Sequence, residues 1–479
     1  MKGRGIFLGI RLENNKIVQL IISLFIFFII LIPCELSNAE EQENYYTIQA
    51  KHSKDYNELV NITNEYKATV LYSIEELGII QVKTTETNIK KIGSSSLVDT
   101  FNPSLRSVSS HLNSEKTENN PSPNPGSLWD LQWDMKQVTN NGESYKLFSG
   151  TKNVTVGIID SGLDINHLDL KDNVVQGSKN LVPKGGFRGK EIEETGELNL
   201  LTDKLGHGTH VAGQIAANGN LKGIAPGIGI KSYRVFGEQN ADSLWIIKAI
   251  IEAAKDDVDV INISLGDYLI NGIALLGENG SKTNIAEIKA YRDAIKFAEN
   301  QGSIIVAAAG NDSLNVNDKQ QMLNFLKNKI KNDGITLQGK VLDVPASLPS
   351  VVTVSSVGSS NELSLFSNYG KGFIDIAAQG GDTRLLEKYG EQVWEKNEMY
   401  KKERIISTVP NQGYFYAYGN SMAAPKVSGA LALIIDKNHL KNHPKRAIQF
   451  LYQNGVDRIG HNRDLFGNGI LNVYKALNK

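Results

Sequence analysis

The sequence predicts an α/β fold, a parallel sheet with helices on both faces, preceded by a small α+β domain. Three observations support this prediction. Residues 127–479 alternate short apolar runs with segments of helical spacing. Residues 40–101 alternate in a similar way over a shorter span, and a stretch rich in Ser, Asn and Pro (102–126) separates the two regions. We therefore expect two folded domains joined by a linker.

The composition is that of an ordinary folded protein without a strong charge. The 479 residues are 41% hydrophobic and 22% charged, and the formal net charge is -1. A chain of this length suits two or three domains. The near-zero charge provides no field that would favour nucleic acid, so no nucleic-acid partner is expected. Cys34 is the one cysteine, which excludes an intramolecular disulfide.

Residues 1–39 carry the features of a secretory signal peptide. Basic residues precede an apolar run over 17–33, and the small residues Ser37 and Ala39 stand three positions and one position before the expected cut. We therefore predict a secreted, extracellular protein. Two alternatives stay open. One is an uncleaved anchor, since the run is close to the ~18 residues that a spanning helix needs, and the other is lipid attachment at Cys34.

The region 40–101 predicts a small domain with elements in the order βαββα. Its periodicity indicates strands over 45–50, 68–73 and 79–83, and helices over 54–67 and 87–92. A domain of about 60 residues is marginally stable alone, so a partner surface would stabilise it. The linker that follows, 102–126, buries little and is a natural place for proteolysis.

The larger region, 127–479, predicts the parallel sheet. Apolar runs indicate buried strands over 154–159, 258–263, 303–308 and 351–357. Helical stretches, such as 241–254 and 285–300, lie between them. Two polar, charged segments, 313–340 and 381–403, are expected to be insertions into this frame. No internal repeat is present.

Three short motifs in this region carry chemistry. Asp160 ends a buried strand in GIIDSG (157–162), His207 opens a helix in GHGTHVAG (206–213), and Ser421 opens a helix in GNSMAAP (419–425). A serine hydroxyl is a poor nucleophile and needs an adjacent base. Histidine titrates near neutrality and can take that proton, and a buried carboxylate fixes the imidazole tautomer. Together the three residues predict a catalytic triad.

These motifs, in the order Asp, His, Ser, resemble those of the subtilisin-like serine proteases, the subtilase family. The resemblance covers residues 128–478 and implies the subtilisin α/β fold and a serine endopeptidase that needs no cofactor for catalysis. It makes Asn311 the side-chain donor of the oxyanion hole, with the Ser421 backbone N–H as its partner. His210 is expected to be structural, because only His207 occupies the family's catalytic position.

The resemblance also assigns substrate-binding residues. The peptide would pair as an added strand, and the S1 pocket, which holds the P1 residue on the amino side of the cut bond, would be formed by two chain segments. The assigned residues are Ser264, Leu265, Gly266, Ala308 and Gly310. Asp267 follows directly, and we expect its carboxylate at the pocket rim to favour Arg or Lys at P1. The alternative is an exposed loop acid.

The chain departs from the family pattern at two places. Asn420 stands where the family usually has Thr before the nucleophile. Asp169 matches a calcium ligand of the family, but the segment 217–223 is shorter than the family's calcium loop. A structural calcium ion at Asp169 and a solvated turn aspartate are both compatible with the sequence.

The small domain, 40–101, resembles subtilase propeptides, which act as folding templates and then as inhibitors. Such propeptides leave by self-cleavage, so the linker is expected to hold the cut site, and Arg106 is the predicted P1 residue. Met422, beside the nucleophile, predicts sensitivity to oxidation.

Within the subtilases, the segments 128–135 and 385–394 resemble those of lantibiotic leader peptidases. This resemblance implies removal of the leader of a lantibiotic precursor after a basic residue, by a freely secreted monomer. One alternative is a broad degradative extracellular subtilase. The other is an inactive binding or chaperone pseudoprotease, which a complete triad disfavours.

Overall fold

The computed structural model describes residues 41–105, 128–238, 240–281, 285–330, 334–458 and 462–479. Residues 43–479 form one compact unit. The predicted signal peptide, Cys34, Arg106 and the linker residues 107–126 lie outside the described residues, so the expectations for them stay predictions.

The small domain is an antiparallel sheet with two helices. Its elements are β1 (Glu43–Ala50), α1 (Tyr56–Glu65), β2 (Thr69–Ile74), β3 (Ile79–Thr85), α2 (Glu86–Gly93) and β4 (Val98–Pro103). The strand order is β2-β3-β1-β4, and apolar side chains of strands and helices meet in one core. The first five elements agree with the predicted order. Strand β4 was not predicted, because its Asn and Pro residues are typical of a linker, and it crosses the expected boundary at 101.

The larger region holds fourteen strands within the described residues. They are β5 (Thr155–Asp160), β6 (Lys179–Asn180), β7 (Gly229–Arg234), β8 (Val260–Ile263), β9 (Asp267–Leu276), β10 (Asn279–Ser281), β11 (Ile304–Ala308), β12 (Ile335–Val344), β13 (Val351–Val357), β14 (Ile376–Gln379), β15 (Ile405–Val409), β16 (Gly413–Ala417), β17 (Val456–Asp457) and β18 (Ile470–Leu471). Nine of them form the central sheet in the order β17-β18-β14-β13-β11-β8-β5-β7-β6. The four predicted strands, β13, β11, β8 and β5, are its adjacent, parallel centre.

Helices cover both faces of this sheet, as the sequence predicts. They are α3 (Trp133–Val138), α4 (Glu143–Leu147), α5 (His207–Ala216), α6 (Ser243–Lys255), α7 (Ala286–Asn300), α8 (Lys319–Ile330), α9 (Arg384–Tyr389), α10 (Glu391–Lys396), α11 (Tyr400–Glu403), α12 (Asn420–Lys437), α13 (Pro444–Asn454), α14 (Arg463–Phe466) and α15 (Val473–Leu477). One apolar core includes α6 and α7, and a second includes α5 and α12. The sheet is therefore buried on both faces, which explains its continuous apolar strands.

The two polar segments predicted as insertions have structure of their own. The segment 313–340 contains α8 and the first part of β12, which pairs antiparallel with β9 along its whole length. The segment 381–403 contains α9, α10 and α11. Trp394 fixes these helices, because its buried indole Nε1 donates a hydrogen bond to Glu403 Oε2 at 2.6 Å.

Candidate active site

The predicted catalytic residues meet at one edge of the central sheet. Asp160 is the last residue of β5, and Asn311 follows the end of β11. Helices α5 and α12 begin with His207 and with Asn420, the residue before Ser421. The carboxyl ends of parallel strands share an edge, and helices that follow them start there, so distant segments converge.

Asp160 and His207 form a buried pair. His207 Nδ1 lies 2.7 Å from Asp160 Oδ1, and both side chains are buried. Burial acts to lower the pKa of His207, but the charge and hydrogen bond of Asp160 outweigh it, so the pKa lies above its ordinary value. The carboxylate thus orients the ring and stabilises its charged form, as a general base requires.

Asp203 and Ser161 position this pair, and the sequence analysis missed both. Asp203 Oδ1 accepts hydrogen bonds from Ser161 Oγ at 2.7 Å and from the Gly206 N–H at 2.8 Å. Ser161 Oγ in turn accepts the Gly208 N–H at 2.9 Å. A Cβ on Gly208 would lie 2.1 Å from the Gly162 carbonyl oxygen, so glycine is needed for this approach. Ser161 stands within the GIIDSG motif, whose small residues permit close backbone contact, whereas Asp203 lies outside all three motifs.

Ser421 and Asn311 face a common point beside Gly419. A Cβ built on Gly419 would lie 3.0 Å from Ser421 Oγ and 3.2 Å from Asn311 Nδ2. Ser421 Oγ also lies 3.2 Å from Met422 Sδ. A nucleophilic oxygen and an amide donor that border the same small space are what attack on a carbonyl group and stabilisation of its oxyanion require.

Asn420, the departure from the family pattern, fixes the Asn311 amide. The Asn420 N–H donates to Asn311 Oδ1 at 2.8 Å, which leaves Asn311 Nδ2 facing the Gly419 side. Asn420 Nδ2 donates to the Gly310 carbonyl oxygen at 2.7 Å, and Ser367 Oγ donates to Asn420 Oδ1 at 3.0 Å. The asparagine therefore ties the helix that carries Ser421 to the segment that carries Asn311.

The two expected substrate-binding segments leave the sheet side by side. Strands β8 and β11 pair in parallel, with Ile263 opposite Ala307. Ser264 Oγ donates to the Ser421 carbonyl oxygen at 2.9 Å, which ties the first segment to the helix that carries Ser421. The side chains of Leu265 and Ala308 are buried. These two side chains therefore present little surface to a substrate.

The expectation that Asp267 forms a charged pocket rim is wrong. Its side chain is 2% exposed, and its Oδ1 accepts the N–H of Tyr268. Successive side chains on a strand point to opposite faces. Tyr268 points toward Gly310, since a Cβ there would lie 2.2 Å from the Tyr268 hydroxyl, so Asp267 points the other way. The alternative of an exposed loop acid is excluded as well.

The donor set around Asp169 does not fit a calcium ion. Asp169 Oδ1 accepts the N–H of Asn220 at 2.9 Å, and Oδ2 accepts the N–H of Leu221 at 3.0 Å and the Tyr414 hydroxyl at 3.2 Å. Three hydrogen-bond donors therefore face the carboxylate, where a calcium site would need further oxygen ligands. Among the described residues, no group of three His, Cys, Asp or Glu could hold a metal ion. The short segment 217–223 thus closes on the carboxylate with its own N–H groups.

His210 lies under the site without access to a substrate. Its ring is buried, and Nε2 lies 3.2 Å from the carbonyl oxygens of Ile405 and Phe415. Burial lowers the pKa of His210 to about 3, so the ring stays neutral. It joins α5 to the β15–β16 hairpin, which agrees with the expected structural role.

Comparison with known proteins places this site in a family. The family model of the subtilases, Peptidase_S8, matches residues 151–469. The chain is a subtilase. It is therefore a serine protease, and the solved structures below confirm the subtilisin-like fold.

Two curated subtilases share much of the sequence. The epidermin leader peptide-processing serine protease of Staphylococcus epidermidis is 41% identical over 92% of this chain and 94% of its own length. The nisin leader peptide-processing serine protease of Lactococcus lactis subsp. lactis is 46% identical over 74% of this chain, but the match spans 50% of that protein. This subtilase is thus similar to lantibiotic leader peptidases, as its segments 128–135 and 385–394 indicate.

A solved structure extends the likeness to the small domain. The crystal structure of the epidermin leader peptide processing serine protease from Staphylococcus aureus is 41% identical and superposes with a TM-score of 0.81, covering 91% of this chain and 98% of that one. The nisin leader peptidase of Lactococcus lactis covers 74% of this chain with a TM-score of 0.67. Within the described residues, none of the helices is long and apolar enough to cross a membrane.

Proposed function

We propose that this subtilase is an endopeptidase in which Ser421 attacks the peptide carbonyl carbon. His207 takes the hydroxyl proton and returns it to the leaving amine, and Asp160 holds the ring. Asn311 Nδ2 and the Ser421 backbone N–H stabilise the oxyanion. A water molecule then attacks the acyl group on Ser421. His207 takes the proton of the water and returns it to Ser421 Oγ as the acyl group leaves. One observation carries the proposal: the Asp160–His207 pair lies at the sheet edge where Ser421 Oγ and Asn311 Nδ2 border one space.

The substrate that we propose is the leader region of a lantibiotic precursor, cut after a basic residue. Support comes from the two similar proteins, whose names state that they process epidermin and nisin leader peptides. We propose that the protease is secreted and meets this precursor outside the cell. It would act as a monomer and without a nucleic-acid partner. A degradative subtilase would instead cut unrelated proteins such as casein with little preference.

The small domain is proposed to be an inhibitory propeptide, because it packs on the two helices α6 and α7. Gln81 Nε2 donates to Asp242 Oδ2 at 2.9 Å, at the N-cap of α6. Asn102 bonds the start of α7 twice: its Nδ2 donates to Glu287 Oε2 at 2.8 Å, and its Oδ1 accepts the Ala286 N–H at 2.7 Å. Polar groups at the starts of both helices are therefore satisfied by the small domain.

Ion pairs and a cation–π contact extend this interface. Glu76 pairs with Lys248 at 2.9 Å and with Lys255, both on α6. Arg188 of the larger region lies 4.4 Å from the centre of the Tyr45 ring, and its Nη2 donates to the Ser104 carbonyl oxygen at 3.3 Å. The end of the small domain, up to Ser104, is therefore held against the larger region. The proposed self-cleavage site, after Arg106, lies one residue beyond Leu105 in the sequence.

The decisive experiment compares secreted wild-type protein with Ser421→Ala. We expect wild type to mature by loss of the small domain, to react with a fluorophosphonate and to cut a lantibiotic precursor between leader and core. Ser421→Ala should stay full-length and do none of these. N-terminal sequencing of the mature form tests Arg106. Maturation of Ser421→Ala in the absence of other proteases would refute the assignment of the nucleophile.

A further inference from the structure

Two carboxylates at the starts of α6 and α7 are buried where the small domain meets the larger region. Asp242, the N-cap residue of α6, is 6% exposed, and Glu287, the second residue of α7, is 3% exposed. The small domain contacts them through Gln81 of β3 and Asn102 of β4. These contacts reach the carboxylate oxygens themselves, so departure of the small domain would open both acids to water.

The side chains that the small domain places against the two acids are neutral. Gln81 Nε2 donates to Asp242 Oδ2 at 2.9 Å, and Asn102 Nδ2 donates to Glu287 Oε2 at 2.8 Å. The Thr47 hydroxyl also donates to Glu287. A carboxylate that leaves water stays ionised at little cost only where a cation or several donors replace the water. The small domain therefore binds the protonated acids more favourably than the ionised ones.

The charged and titratable groups that face the two acids leave this preference in place. Burial raises the pKa of Glu287 to about 7, and the charge of Asp242 adds to the rise. Burial raises the pKa of Asp242 as well, and Arg188 of the larger region opposes that rise only in part. Tyr72 and Tyr291 also face the acids, but burial raises the pKa of both phenols, so they stay neutral.

The ion pairs of Glu76, elsewhere in the same interface, behave differently. Glu76 of the small domain pairs with Lys248 at 2.9 Å and with Lys255. Burial acts to raise the pKa of Glu76, but the two lysines outweigh it and lower the pKa to about 2. Glu76 therefore carries its charge at pH 5.5 and at pH 8 alike. These pairs hold the small domain equally well across that range, whereas the contacts of Asp242 and Glu287 do not.

We propose that the small domain is a proton-linked inhibitor, held while Asp242 and Glu287 are protonated and released as both acids ionise. This inference rests on the proposed function, in which the small domain inhibits the protease. Once the small domain has left, water surrounds the carboxylates and they ionise in the ordinary range, whereas the covered Glu287 ionises only near pH 7. The binding that protonation supports is therefore fully present in acid and is lost as the pH rises through about 7.

The test measures how fast the small domain dissociates after the linker has been cut. Full-length protein with Ser421→Ala carries a recognition site for an unrelated protease within linker residues 107–126, and that protease makes the cut. The larger region is held on a surface by a C-terminal tag, and loss of the small domain is followed from pH 5.5 to pH 8. Catalysis does not enter, because Ser421 is absent. Linkage through Glu287 alone predicts a dissociation rate that rises about tenfold or more over this range.

Substitutions that mimic the protonated acids should remove the effect of pH. Glu287→Gln keeps the shape of the side chain and can still accept the Asn102 hydrogen bond, so its dissociation rate at pH 8 should be about tenfold or more below that of the parent. Asp242→Asn, which can still cap α6, should reduce the rise with pH as well. Glu299→Gln is the matched control. Glu299 lies at the far end of α7, where it bonds to Ser350 and pairs with Lys445, so the rate and its rise should stay unchanged.

A parent rate that is flat or falls between pH 5.5 and pH 8 would overturn the inference, and so would a Glu287→Gln rate that rises as steeply as that of the parent. The inhibitory role is tested apart, in wild type that has cut its own linker. Equal peptide hydrolysis before and after loss of the small domain would overturn both the inhibitory role and this inference. Inhibition by the small domain that does not vary with pH would overturn this inference alone and leave the proposed function intact.

Discussion

A buried ion pair on the helix that carries Ser421 provides a test of the structure. Lys426 lies on α12, and its Nζ is 2.9 Å from Asp134 Oδ2 on α3. Both side chains are 0% exposed. The same Nζ donates to the Met422 carbonyl oxygen at 3.1 Å and to Gln214 Oε1 of α5. Three helices around Ser421 therefore share one enclosed positive charge.

The perturbation is Lys426→Met, which keeps the length of the side chain and removes its charge. Asp134 is then left enclosed without its cation, and breaking such a pair typically costs about 3–5 kcal/mol. At roughly 2 °C per kcal/mol for a large domain, Tm should fall by about 6–10 °C. Lys426→Met with Asp134→Leu removes both charges, so we expect it to be more stable than the single variant.

The assay is thermal unfolding of full-length protein with Ser421→Ala in every variant, so that self-digestion cannot contribute. Circular dichroism and intrinsic fluorescence should give the same order: parent, double variant, Lys426→Met. A single variant within about 2 °C of the parent would refute the reasoning, because it would mean that water reaches Asp134. A double variant less stable than Lys426→Met would refute it as well.

Four further outcomes are expected. Asn311→Ala should lower kcat about 10²–10³-fold with little change in KM, measured on titrated enzyme; an equal loss in KM would point to substrate binding instead. Because His207 must be neutral to act as a base and its pKa is raised, kcat/KM should fall with decreasing pH through a midpoint above 6.5, and a midpoint below 6.5 would contradict the role of Asp160. EDTA should move Tm by less than about 1 °C, since N–H groups occupy the Asp169 oxygens, and a large shift would reveal a metal site elsewhere. Peroxide should inactivate wild type but not Met422→Leu, as sulfoxide oxygen would crowd Ser421 Oγ; equal loss in both would exclude Met422.

The sequence predicts the central strands of the sheet and the meeting of Asp160 with His207, because both depend on local patterns. The strands β5, β8, β11 and β13 are buried runs in which apolar residues predominate, and each residue of the predicted triad stands in a short motif at the end or start of an element. Prediction fails where pairing is long-range. The β9–β12 ladder joins segments separated by α7 and α8, so its register cannot be deduced from either strand alone.

The position of Asp267 shows the same limit at a single residue. Asp267 is adjacent to Gly266 along the chain, and proximity in sequence suggested that it lies in the pocket. The alternation of β9 turns it to the other face, and the ladder brings Asp343 of β12 to Gly266 instead. Likewise, the N–H groups that satisfy Asp169 depend on the closure of a turn by residues 218–221, which no motif indicates.

The order of the catalytic elements along the chain sets when the protease can first act. Asp160 and His207 come early in the larger region, but Ser421 arrives on α12, the long helix that packs against β8, β11 and β13. A chain that emerges N-terminus first exposes its linker long before residue 421 is available. The proposed cleavage of its own linker must therefore wait until nearly the whole domain has been synthesised and folded. Because Ser421 lies near the C-terminal end of the domain, self-cleavage requires that most of the domain has already folded.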